Sequence, residues 1–238
     1  MFCFSVACLT VEIDNRYPYV KQLCRDYIVE YASARPDFRV RATSAEIEAR
    51  VERTNKFLSP EKAEAYVLFD KICKQLPKFD AIMLHSAVVE YGGVAYAFSA
   101  PRGVGKTTHA GLWIDRFGTD ARILCGDKPI LRNIGGEWLA FGTPWGGKEG
   151  IHVNASARLG GIFFLERAQK SSTVKITPEA FVSEFFAATV VPDASNEPVC
   201  RRFCDALGDI YAAVPCFKLL CNVSQGAVDA ALDAIRLK

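Results

Sequence analysis

HSAVVEYGGVAYAFSAPRGVGKTTHAGLW, residues 85–113, is the stretch that decides the fold. It belongs to a longer apolar run, Ala81 to Ala100, which reads as two strands joined at Tyr91, Gly92 and Gly93, a glycine pair that suits a hairpin turn. The second strand runs straight into Ala100-Pro-Arg-Gly-Val-Gly-Lys-Thr107, and the residues after it carry helical periodicity. A strand, a tight glycine turn and a helix in that order make a phosphate-binding loop. Successive backbone N–H groups converge on one spot, and the helix dipole adds partial positive charge there. Ala100 stands where the strict pattern has its first glycine. Gly103 and Gly105 let the backbone approach phosphate oxygens without a Cβ in the way. Arg102, Gly103, Val104, Gly105, Lys106, Thr107 and Thr108 are therefore the expected phosphate-binding residues. Lys106 reaches the β and γ phosphates and the Thr107 hydroxyl is a magnesium ligand.

Working outward, Ile123-Leu-Cys-Gly-Asp127 is an apolar strand that ends in a carboxylate. In phosphate-loop proteins such an Asp holds the metal or takes the proton of an attacking hydroxyl. His85 is expected on the strand paired with the one that enters the loop, and the Gly92-Gly93 hairpin brings it back beside that loop. Trp145, Gly147 and Lys148 form a turn that closes over substrate or simply packs an aromatic ring. Lys148 is the substrate-side candidate there, because a transferring phosphoryl group needs compensating cations.

The flanking segments set the frame. Phe2, Phe4 and Val6 alternate as an opening strand, and Tyr17 to Ser33 has helical spacing. Asp37 to Ala42 is a strand, Thr43 with Glu46 makes a capping box for a helix to about Asn55, and Ser59-Pro60 opens a helix to about Leu76. Beyond Asp127, strands are expected at Lys128–Asn133, Glu137–Phe141, Leu159–Leu165 and Cys216–Cys221. Helices are expected from Thr177-Pro178, near Ala194–Ala213 and at Ser224–Leu237. This divides the chain into an N-terminal α+β extension, residues 1–80, and a nucleotide-binding core, residues 81–238. A formal net charge of +2 argues against nucleic-acid or anionic-membrane partners. The apolar N-terminus lacks a basic leader and meets Glu12 and Asp14 too early to span a bilayer. Nine cysteines, none spaced C-x-x-C, read as reduced thiols of a cytoplasmic protein.

Leu84 to Asp127 resembles the catalytic core of HPr kinase/phosphorylase and its relatives, in the phosphoenolpyruvate-carboxykinase-like class of phosphate-loop proteins. A histidine precedes the loop at the same spacing in those kinases. Phe141-Gly-Thr-Pro-Trp-Gly-Gly-Lys148 and Leu165-Glu166-Arg167 are similar to segments of uncharacterised bacterial kinase-like homologues. The resemblance implies an α/β fold with a mixed, largely antiparallel sheet, His85 beside the transferred phosphate, and catalysis by His85, Lys106 and Asp127. It further implies ATP and Mg2+ as cofactors, with Thr107 and Asp127 at the metal. The acceptor it implies is a hydroxyl on a protein, a peptide or a small molecule such as free serine, and homo-oligomers occur among the relatives. One departure stands out. The HPr kinases have two adjacent aspartates where this chain has Gly126-Asp127-Lys128, so that Asp127 matches either member of the pair. This leaves either a kinase that finds its second carboxylate elsewhere (Glu90 and Glu149 are the candidates) or a MgATP-binding regulatory module without phosphoryl transfer. A decarboxylase like the carboxykinases is a weaker reading, since no oxaloacetate-binding cation set is legible.

Overall fold

A computed structural model describes residues 1–30, 35–54 and 57–236. The chain begins with a hairpin: β1 (Phe2–Val6) pairs antiparallel with β2 (Leu9–Asp14), and the turn between them places Ala7 and Cys8 at φ 50° and 56°. The expected helix over residues 17–33 is cut short. Helix α1 (Pro18–Leu23) gives way to a 3-10 turn and then to β3 (Ile28–Val29), where two β-branched residues pair with β1 instead of continuing the helix. Residues 31–33 of that expectation lie outside the described residues. Strand β4 (Phe38–Arg41) completes a four-stranded sheet in the order β3-β1-β2-β4. Thr43 and Glu46 form the full capping box of α2 (Ser44–Arg53). Helix α3 (Pro60–Gln75) starts with proline in its first turn, but the Ser59 hydroxyl accepts no capping bond and is buried without a partner among the described residues.

The second sheet has nine strands. Where the sequence suggested one strand from Ala81 to Tyr91, there are two: β5 (Ala81–Met83) and β6 (Ser86–Tyr91), broken at Leu84 and His85. The break lets the chain serve two places, since β5 pairs with β9 (Ile130–Ile134) and β6 pairs with β7 (Val94–Ser99). Gly92 and Gly93, at φ 59° and 76°, make the β6–β7 hairpin turn. The phosphate-loop segment follows β7 and leads into α4 (Lys106–Phe117) and β8 (Ala121–Cys125). Next come β10 (Glu137–Phe141) and β11 (Ser156–Arg167), a strand of twelve residues. The first residues of β11 pair with β10, and the later ones pair in parallel with β13 (Cys216–Cys221). Strand β12 (Ser172–Lys175), which the sequence did not announce, adds to the outer side of β13. Of the eight strand pairings in this sheet, those of β11 with β7 and with β13 are parallel and the rest are antiparallel. The fold is mixed α/β.

Helices cover both faces. Helices α5 (Pro178–Ala187) and α6 (Glu197–Ala213) bury Phe181, Phe185, Phe203 and Ile210 on one face. Helix α4 and α7 (Gln225–Arg236) bury Trp113, Val228 and Ala231 on the other. A third cluster joins the small sheet and α3 to Ala81, Met83, Ile130, Phe141 and Trp145 of the large one. Among the described residues, no helix is long and apolar enough to cross a membrane.

Candidate functional site

The segment read as a phosphate loop turns on two glycines with positive φ. Gly103 and Gly105 sit at φ 85° and 126°, values that side chains rarely allow. Among the described residues no side chain caps α4, so its first-turn N–H groups stay open toward the loop. Lys106 is almost wholly buried, and its Nζ donates to the Ala100 carbonyl (2.9 Å), the chain's own acceptor at the start of the loop. Burial pushes the Lys106 ammonium pKa down, opposed by the Asp127 charge and reinforced by the Lys128 charge. Those interactions put Lys106, Asp127 and Lys128 in one electrostatic neighbourhood. Arg102 and Thr108 are exposed on the loop and the first helical turn, and Thr107 between them is half-buried.

His85 is not on a strand but in the two-residue break before β6. That break is strung between three segments. The His85 N–H donates to Ala188 O (2.6 Å) and the Ser86 N–H to Asp127 O (3.0 Å), while the Ser99 hydroxyl donates to His85 O (3.0 Å). Ser99 ends the strand that enters the loop, so the break ties His85 to both the loop and Asp127. Its side chain completes the connection: His85 Nε2 lies 2.8 Å from Asp127 Oδ1. The other carboxylate oxygen, Oδ2, accepts from Lys128 Nζ. Burial alone would raise the Asp127 pKa. The hydrogen bonds from His85 and Lys128, with the Lys128 charge, outweigh it and hold the carboxyl at about 2.

The turn after β10 packs against this pair from the other side. Trp145 is a core residue, not a lid: it is 6% exposed, with ring centroids 4.7 Å from Phe69 and 6.1 Å from Phe4. The Thr143 hydroxyl donates to Lys128 O (2.7 Å) and fixes the turn to the carboxylate loop. At Gly147 a Cβ would come within 2.9 Å of Asp127 Cβ, so glycine is what lets the turn close on that residue. Lys148, next to it, is exposed.

Glu90 does not supply a second carboxylate. It sits near the far end of β6, opposite Ala95, and pairs with Arg122 at 2.6 Å. Glu149 is exposed in the turn beyond Lys148. Two residues go beyond the sequence expectations. Lys128 was legible only as a departure from a pair of acids, and nothing local announces its bond to Asp127. Arg167, at the end of β11, donates to Gly103 O (2.6 Å) and Val104 O (3.3 Å), bracing the loop from outside. Its only sequence signal was its place in Leu165-Glu166-Arg167.

A Mg2+ ion takes few protein oxygens and fills its octahedron with water and phosphate oxygens. Thr107 and Asp127 fit that donor set, on the condition that the ammonium now at Asp127 Oδ2 gives way.

No family model and no curated protein matches the sequence. Among solved structures, the chain is similar to the HPr(Ser) kinase/phosphatase from Coxiella burnetii, with TM-score 0.37 and 11% identity over 65% of this chain and 96% of that one. The chemistry therefore rests on this chain's own geometry.

Proposed function

We propose that the chain is an ATP-dependent kinase that transfers the γ-phosphoryl group to a hydroxyl, on a serine of a small protein or peptide or on a small molecule. One observation carries the reading: a histidine–carboxylate pair, joined at 2.8 Å, is tied through the Ser99 hydroxyl, which donates to His85 O, to the end of the strand that enters the glycine loop. In this reading Lys106 leaves the Ala100 carbonyl for the β and γ phosphates, and the open first turn of α4 receives the phosphate oxygens. Thr107 and Asp127 would hold magnesium, which, when bound, offsets the charge on the transferring group. Asp127, ionised and engaged at both oxygens, is a poor base. By accepting the Nε2 proton of His85 it leaves Nδ1, which has no partner among the described residues, to take the proton of the acceptor hydroxyl. Arg102, Thr108 and Lys148 are exposed around the site and serve as further phosphate or acceptor contacts.

A second reading, a regulatory module that binds MgATP without turnover, is favoured by a different observation. Lys128 occupies Asp127 Oδ2, and neither neighbour of Asp127 in the sequence is a second acid. Calorimetric titration of MgATP into wild type and Lys106→Ala, followed by a γ-phosphate transfer assay on hydroxyl acceptors, separates the two. The kinase reading expects saturable binding, lost in Lys106→Ala, with transfer in wild type that His85→Ala abolishes while still binding nucleotide. Binding with neither transfer nor ATP hydrolysis supports the regulatory module. No binding to wild type overturns both.

A further inference from the structure

The kinase reading leaves one charged group of the site without a task. Lys128 bonds Asp127 Oδ2, and two other charges feel its ammonium: the Lys106 ammonium and the Asp70 carboxylate on α3. Its own backbone is held still, because its carbonyl accepts from Thr143 and the next residue but one begins β9. Only the side chain can move. The ammonium stands at Asp127 Oδ2, the atom a divalent cation would claim, so the chain carries its own stand-in ion.

We propose that Lys128 is a placeholder for the metal: it neutralises Asp127 while the site is empty, yields Oδ2 to Mg2+ when nucleotide arrives, and moves its ammonium onto the γ-phosphate. The argument rests on charge. Bringing Mg2+ to Asp127 while Lys128 remains would crowd two cations on one carboxylate oxygen. A γ-phosphate beside Lys106 offers the displaced ammonium a stronger anionic partner. Asp70, paired with Arg50 at 3.2 Å, adds a longer-range attraction to the same ammonium. Lys128 would thereby act as a second cation, beside Lys106, on the transferring group.

The inference rests on the kinase reading, and its test separates the two. Mn2+ alone, MgATP and MgADP are titrated calorimetrically into wild type and Lys128→Met, with Lys128→Gln as a second variant in case the first does not fold. Removing the placeholder should tighten Mn2+ binding in the absence of nucleotide by severalfold. It should also weaken MgATP about tenfold while leaving MgADP nearly unchanged. A purely structural lysine would shift all three ligands the same way or none of them. Unchanged Mn2+ affinity, or equal losses of ATP and ADP, overturns the placeholder while leaving the kinase reading intact. Failure of wild type to bind MgATP overturns the reading itself, and with it the assignment to the γ-phosphate.

Discussion

A Cβ on Gly126 would lie 2.8 Å from the Gly146 carbonyl oxygen and 3.4 Å from that of Ile151. Restoring a second acid there, Gly126→Asp, is therefore a packing lesion before it is a chemical change. Urea unfolding should show a loss of about 2 kcal/mol, and any loss of activity would report a displaced Asp127 loop. His109 makes a second prediction at this scale. The sequence placed it on the helix behind the loop, where it is buried, accepts from Trp113 Nε1 at 3.2 Å and has an unpartnered Nδ1. Burial pushes its pKa from 6.5 down to about 4. The unfolded chain takes up a proton that the folded chain refuses, so stability is complete above about pH 6.5 and falls as the pH drops toward 4. The loss approaches about 3 kcal/mol. Thermal melts from pH 7 to 4.5 should show it, with a flatter profile for His109→Gln. The sequence singled out Lys106 and Thr107 as candidates because a loop motif is local, and Asp127 because it ends an apolar run. The tie between Lys128 and Asp127 was not legible, because it depends on how the turn at Thr143 holds the chain.

Among the elements, the strand–loop–helix unit was readable from glycine spacing and apolar runs alone, and so were the capped α2 and the Gly92-Gly93 hairpin. The break at Leu84 and His85 was not. Ala81 to Tyr91 is apolar enough on either side of His85-Ser86 to read as one strand, and the competing partners β7 and β9 divide it. The helix expected beyond Leu23 failed for a similar reason, since Ile28 and Val29 gain more from pairing with β1. Strand β11 carries a prediction of its own, because its last residue reaches the phosphate loop. Arg167→Ala removes two bonds to loop carbonyls from an exposed side chain. Calorimetry should show MgATP binding several-fold weaker, while the melting temperature stays close to that of wild type.

Across the whole molecule, the first eighty residues are not simply an appendage on the core. Phe4 and Phe69 reach Trp145, and Arg132 of β9 donates to Ala7 O at 2.6 Å, so the small sheet is packed against the strands behind Asp127. Residues 81–238 expressed alone would bare Ala81, Met83, Ile130, Phe141 and Trp145, and should be insoluble or bind hydrophobic dyes. Trp145→Ala should destabilise the full chain by about 4 kcal/mol, read by urea unfolding. Composition hinted at two parts, but the contacts between them are long-range and follow no local pattern. Trp145 also gives the protein a built-in optical gauge. Its indole N–H is buried without a partner, and only Gly146 separates it from Gly147, the residue closed against Asp127. With Trp113 and Trp138 replaced by phenylalanine, its emission would report, without any added label, each time a ligand disturbs the Asp127 carboxylate packed against Gly147.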